Sequence, residues 1–219
     1  MSERDLDAVI FDCDGVLVDS ERISGRVFAS LLNEIGLSFT PSQSIETFMG
    51  SSMARCVAIV TERLGAPPPE DLLDRYHAHM QTAIVNELTP VDGIVALLDA
   101  LDAADVPYAV ASNGAHSKMV ATLGVTKLLS RFEGRRFSAT DVAHPKPAPD
   151  LFLHAANRLR VSPARCVVIE DSPLGVQGAV AAGMHVIGYA DLMPAARLRD
   201  AGAHIVVDRI ADLAALLAV

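Results

Sequence analysis

Hydrophobic and polar positions along the chain fall into two regimes. From about residue 88 onward, short apolar runs alternate with segments whose apolar residues recur at helical spacing. Residues 93–104 read as a helix, 107–112 as a strand, 115–124 as a helix and 136–139 as a short strand. A helix over 149–160, a strand at 166–170, a helix from 173, a strand at 185–189 and a last strand and helix within 204–217 continue the pattern. Such alternation predicts an α/β fold, a Rossmann-like, doubly wound and mostly parallel sheet with helices on both faces. Loops at the carboxyl ends of its strands would form the site. The apolar run at 7–12 belongs to the same sheet.

Between that first strand and residue 88 the period changes. Ile23, Val27, Phe28, Leu31, Leu32 and Ile35 recur at helical spacing and stop at Gly36. Helical patterns also cover 51–64 and 70–87, on either side of Gly65-Ala66-Pro67-Pro68-Pro69, and residues 20–87 show no strand pattern. The expected organisation is a core domain of residues 1–17 and 88–219, with a small α-helical domain, residues 18–87, inserted after the first strand. That insertion is expected over the carboxyl end of the sheet.

Composition narrows the partners. A chain of 219 residues with 51% hydrophobic content can build a real core. Its formal charge of −9, from 27 acidic and 18 basic residues, argues against a nucleic-acid groove or an anionic membrane surface as the main partner. Only Lys118, Lys127 and Lys146 are lysines, so their positions carry information. Cys13, Cys56 and Cys166 are far apart and form no C-x-x-C, which reads as small buried residues in a reducing compartment. The charged start Met-Ser-Glu-Arg-Asp-Leu-Asp is unlike a secretory signal, and no apolar run approaches the roughly 18 residues of a membrane span. The expectation is a cytoplasmic protein, monomeric with a dimer left open.

Four strand ends carry polar residues. The first strand runs into Asp12-Cys13-Asp14-Gly15, and the two-residue period of a strand would aim Asp12 and Asp14 to one side and Cys13 to the other. Two carboxylates so close suit a cation between them or a shared proton. Ser112-Asn113-Gly114 offers a hydroxyl and backbone N–H groups before a helix, an anion site or an ordinary helix cap. In His144-Pro145-Lys146-Pro147-Ala148-Pro149-Asp150, prolines on both sides restrict the backbone at a rare lysine. Glu170-Asp171-Ser172-Pro173 follows a buried strand with adjacent carboxylates and a helix-starting pair. Acids here can be mere helix-dipole partners, or ligands of a hard cation such as magnesium.

These four motifs, in this order and strand context, resemble the haloacid dehalogenase superfamily over essentially the whole chain, and the helical insertion resembles the small cap of its β-phosphoglucomutase-like branch. The resemblance implies Asp12 as a nucleophile forming an aspartyl-phosphate and Asp14 as general acid and base. It further implies Ser112, Asn113 and Lys146 as phosphate-binding residues. The metal site would be Mg²⁺ at Asp12, Asp14, Glu170 and Asp171, with Asp14 contributing its backbone carbonyl. A dehalogenase is disfavoured by Asp14, Glu170 and Asp171, and Schiff-base phosphonatase chemistry by the absence of lysine from 18–87. Phosphosugar mutases of this family carry a histidine where this chain has Ser24, an arginine where it has Met53, and a cap lysine. Their absence leaves water to attack the phosphorylated aspartate, which implies a phosphatase for a small-molecule phosphate ester such as a sugar, sugar-acid or polyol phosphate. The segments at 11–21 and 110–119 look most like the branch that includes 6-phosphogluconate phosphatase. Gly50, Ser51, Arg55 and His116 are the leading candidates for substrate contact, with Arg75 and His79 behind them. Against the phosphatase reading stand a phosphosugar mutase and, from another class, a non-catalytic protein that binds a phosphorylated ligand.

Overall fold

The first apolar run forms β1 (Ala8–Phe11), wholly buried, in a computed structural model that describes residues 6–219. Four helices follow: α1 (Ser20–Glu34), α2 (Pro41–Phe48), α3 (Met53–Leu64) and α4 (Leu72–Glu87). The chain then alternates through α5 (Ile94–Ala103), β2 (Tyr108–Ser112), α6 (His116–Val125), β3 (Arg136–Ser138), α7 (Asp150–Leu159) and β4 (Cys166–Glu170). It ends with α8 (Pro173–Ala181), β5 (His185–Tyr189), α9 (Ala195–Asp200), β6 (Ile205–Val207) and α10 (Leu213–Leu217). The chain divides into two units, one running to Val18 and resuming over Thr89–Val219, the other Asp19–Leu88.

In the first unit the strands lie in the order β3-β2-β1-β4-β5-β6, each pair parallel. The α/β, parallel-sheet expectation is met. β1 and β2 are buried throughout and β4 at all but one position, so the inner strands read as unbroken apolar runs rather than alternating ones. Phe11 meets Tyr108 edge-on at 6.2 Å between ring centres, and Tyr108 meets Phe132 at 5.4 Å. Burying each such ring stabilises the fold by about 1.5–3 kcal/mol.

The second unit is all helical among its described residues. The apolar stripe of α1 is buried, and Phe28 packs on Phe48 of α2 (4.8 Å) and Tyr76 of α4 (5.4 Å). Gly36 (φ +92°) ends α1 with paired bonds, its own N–H to the Asn33 carbonyl and the Leu37 N–H to the Leu32 carbonyl. Only a residue at ease with positive φ closes a helix this way. The sequence reading passes over two helices, α2 and α9. Yet α2 carries its own start signal: Thr40 and Gln43 form a reciprocal capping box, with Pro41 at the first helical position. No helix among the described residues is long and apolar enough to cross a membrane.

Candidate active site

Because β1 leaves the sheet between β2 and β4, where the strand order reverses, residues after Phe11 enter the crevice that doubly wound sheets use for ligands. Phe11 is in register with Ile169 and Val110, and the Asp12 N–H still donates to the Ile169 carbonyl (3.0 Å). Asp12 is therefore fixed by the sheet, and buried. Asp14 is not. Strand pairing stops at Phe11, so pleat alternation does not aim Asp14 as the sequence suggests. Instead the loop turns on Gly15 (φ +81°), with Gly15 N–H donating to the Val18 carbonyl (2.8 Å) and Leu17 N–H to the Cys13 carbonyl (2.9 Å). Cys13 is buried with its Sγ 4.0 Å from Thr122 Oγ1, and burial pushes its thiol well above the usual range. The Asp14 carboxylate is met by Lys118, Nζ to Oδ2 at 2.7 Å.

Lys146 is the hub of the site. Its buried ammonium donates to Asp12 Oδ1 (2.5 Å), Glu170 Oε1 (2.6 Å) and the Ala111 carbonyl (2.7 Å), one acceptor for each N–H. The ring of Phe152 lies 5.0 Å from Nζ. Asn113 clamps the lysine's backbone, its Oδ1 accepting from Lys146 N–H (3.0 Å) and its Nδ2 donating to Lys146 O (3.2 Å). Thus the Asn113 side chain holds the lysine and leaves the backbone N–H groups of this loop to face an anion. Burial works against the Lys146 ammonium, yet the Asp12 and Glu170 charges outweigh it and raise its pKa. Burial pushes Asp12 up to about 7; Lys146 opposes this, while Glu170 and Asp14 add to it.

The motif after β4 is built around Glu170, which is fully buried. Its Oε2 accepts from the N–H (3.2 Å) and hydroxyl (2.9 Å) of Ser172, and Ser172 in turn caps α8 by accepting from Gly175 N–H (3.1 Å). A Cβ on Gly175 would lie 1.8 Å from Glu170 Oε1, so the carboxylate fills the space a side chain would need. Gly175 carries no local signal of this role; the close approach depends on a carboxylate reaching forward from five residues earlier. Gly175→Ala is expected to cost about 1–3 kcal/mol through overpacking, read as a lower denaturant midpoint. An unchanged midpoint would place the carboxylate elsewhere.

One oxygen each from Asp12, Glu170 and Asp171, all buried, come within 4.8 Å of one another. Ser112, buried at the end of β2, accepts from Gly114 N–H (3.0 Å) through Oγ. Its register partner on β3, Ser138, donates to the Gly114 carbonyl (2.7 Å), so a residue the sequence did not single out fixes this loop.

His116 opens α6 with Nε2 at 2.9 Å from both carboxylate oxygens of Asp141, exposed to solvent. Gly50 (φ +73°), Ser51 and Arg55 lie at the α2–α3 junction of the second unit, where Arg55 N–H donates to Ser52 Oγ (3.2 Å). Arg75 is paired with Glu34 across α4 and α1. The residues brought together are those of the first unit: Asp12, Asp14, Ser112, Asn113, Lys146, Glu170 and Asp171.

Residues 9–189 match the family described as haloacid dehalogenase-like hydrolase. The chain is 34% identical over 185 residues to 6-phosphogluconate phosphatase of Escherichia coli K12, covering 84% of this chain and 82% of that protein. Among solved structures it is similar to a conserved haloacid dehalogenase-like protein of unknown function from Agrobacterium tumefaciens C58, with 37% identity and a TM-score of 0.90 over 97% of this chain and 98% of the other. A hydrolase of the same kind from Deinococcus radiodurans R1, solved with bound phosphate and sodium, has 35% identity and a TM-score of 0.88 over 99% of this chain and 96% of its own.

Proposed function

This chain belongs to the haloacid dehalogenase-like hydrolase family, and from that membership we propose that it is a magnesium-dependent phosphatase for small sugar, sugar-acid or polyol phosphates. The observation that carries the reading is Asp12: a buried carboxylate at the end of the central strand, held at one oxygen by the Lys146 ammonium. With one oxygen fixed, the other is presented to phosphorus. An Asp12 oxygen bonds to phosphorus as the ester P–O bond breaks, and Asp14 gives its proton to the departing alkoxide. Asp14 then takes a proton from a water whose oxygen displaces Asp12, and phosphate leaves. Ser112 and the N–H groups after it hold the phosphoryl oxygens, while Lys146 offsets the charge that gathers on them.

The cluster's charge supports a divalent cation. When ionised, Asp12, Asp14, Glu170 and Asp171 set against Lys118 and Lys146 sum to two net negative charges. Oxygen-only donors suit magnesium better than zinc. Asp12, Glu170, Asp171 and the Asp14 backbone carbonyl would hold it, each carboxylate oxygen having a second lone pair beside the hydrogen bond that Asp12 and Glu170 accept from Lys146. When bound, the ion supplies positive charge facing the phosphate. Hydrolysis is preferred to phosphosugar transfer because residues 19–88 hold no lysine. The Ser24 hydroxyl is engaged with Tyr76 (2.9 Å), and Met53 opens α3 in place of a basic residue.

The test is phosphate release from a panel of sugar, sugar-acid, polyol and nucleotide monophosphates, with magnesium and with the metal chelated. Release from at least one sugar-type ester is expected, falling about a hundredfold or more on chelation. Isomerisation of a phosphosugar faster than release would make the chain a mutase. No release from any ester would leave a binding protein.

A further inference from the structure

We infer that Lys118 is a positioning residue for Asp14: it holds the carboxylate that the sheet does not hold, and acts on the reaction only through it. The inference rests on the phosphatase reading. The backbone of residues 12–18 is tied down by its own turn, with Gly15 and Val18 bonded at 2.8 Å and Cys13 accepting from Leu17 and Val18. That network fixes the Asp14 main chain and leaves its side-chain rotamer to another partner. Lys118 meets Asp14 Oδ2 at 2.7 Å from α6, 104 residues away in sequence.

The stem of Lys118 runs along the loop that follows Ser112: a Cβ at Gly114 would stand 3.4 Å from Lys118 Cδ, 3.3 Å from Ser112 Oγ and 4.0 Å from Asp14 Oδ2. One turn after Lys118 on the same helix, Thr122 meets Cys13 (4.0 Å), and the two positions grip neighbouring residues of one loop. Of the chain's three lysines, two each reach one of the two aspartates.

A plain surface ion pair is the competing account. The Lys118 side chain is 47% exposed and that of Asp14 17%, and such a pair adds only about 0–1 kcal/mol to stability. Stability is therefore the wrong measurement, and turnover the right one. A misaimed acid and base loses part of the factor of about 10²–10⁴ that general acid–base catalysis supplies, without weakening the grip on phosphate.

The experiment compares Lys118→Met, Lys118→Arg, Asp14→Asn and the double variant Asp14→Asn/Lys118→Met, on the best ester of the panel and on p-nitrophenyl phosphate. The aryl ester has a leaving group that needs little protonation, which keeps the Asp14→Asn rates measurable. Lys118→Met should lower kcat on the alkyl ester about tenfold with KM little changed, and Lys118→Arg should recover most of it. In the Asp14→Asn background, removing Lys118 should change kcat by less than about twofold, since nothing remains to position. Its unfolding midpoint should move by less than about 4 °C. A wild-type kcat for Lys118→Met would overturn the inference, as would an equal loss with and without Asp14, which would put Lys118 on the substrate itself. Absence of phosphate release by the wild-type chain would instead remove the phosphatase reading beneath it.

Discussion

Asp12→Asn is expected to abolish turnover, by a factor on the order of 10⁴–10⁶, the range seen when a covalent nucleophile is removed. The change is nearly isosteric. The Asn carbonyl oxygen can still accept from Lys146 where Asp12 Oδ1 does now, so the loss would be chemical rather than structural. An amide oxygen is too weak a nucleophile to displace an alkoxide from phosphorus. Asp14→Asn should cost less, about 10²–10⁴, because a better leaving group or bulk water substitutes in part for a proton donor. The folded protein gives a second readout. Asp12 titrates near 7 in the fold against an ordinary value of 3.8, so its folded pKa is raised. A raised carboxylate is at its most favourable below the unfolded value, and its contribution declines as pH climbs through the interval up to the folded one. Without magnesium, Asp12→Asn should therefore gain stability relative to wild type between about pH 4 and about pH 7. Urea unfolding at several pH values measures it, and a flat difference would mean that burial does not raise the Asp12 carboxylate as described.

Much of this site is legible along the chain because three of its parts sit at the ends of strands that announce themselves, β1, β2 and β4, whereas Lys146 lies in the loop eight residues past the end of β3 and not at a strand end as expected. β1 and β4 are continuous apolar runs, and the acids that follow them are adjacent in space because Phe11 and Ile169 share a register. What local pattern does not contain is pairing across distance. Nothing near Asp14 in sequence names Lys118, and nothing near Asn113 reveals that its amide is spent on the backbone of Lys146. Gly175 reads as an ordinary helical residue until the Glu170 carboxylate is found where its side chain would be. The strand rule also reaches too far when applied to Asp14, since pairing ends at Phe11 and the loop sets its own geometry. The overlooked α2 is a different case: its Thr40–Gln43 box and Pro41 are a local signal, outweighed by a short segment with little apolar periodicity.

Lys146→Met should unfold the site as well as silence it. The lysine is 5% exposed, and its three N–H groups are matched to two carboxylates and a carbonyl. Methionine keeps much of the stem, and so most of the packing near Phe152, but removes the positive charge between Asp12 and Glu170. Breaking a buried ion pair from one side costs about 3–5 kcal/mol, against a total stability of about 5–15 kcal/mol for a typical domain. The pH dependence follows from the charges left behind. Without the ammonium, the buried Asp12 carboxylate loses the charge that opposes its upward shift and is easier still to protonate in the fold, so the variant gains from acid and loses as pH rises. Its deficit against wild type should be smallest near pH 5 and largest above pH 7, and turnover should fall about 10³-fold or more with the loss of a charge aimed at the phosphoryl oxygens. Arginine should not rescue it, because a planar guanidinium cannot place three donors toward the converging positions that Asp12, Glu170 and Ala111 occupy around a single nitrogen. A Lys146→Met protein as stable as wild type at pH 8 would mean that Asp12 is still neutral there. In that event magnesium, rather than lysine, would have to be what draws the proton from Asp12.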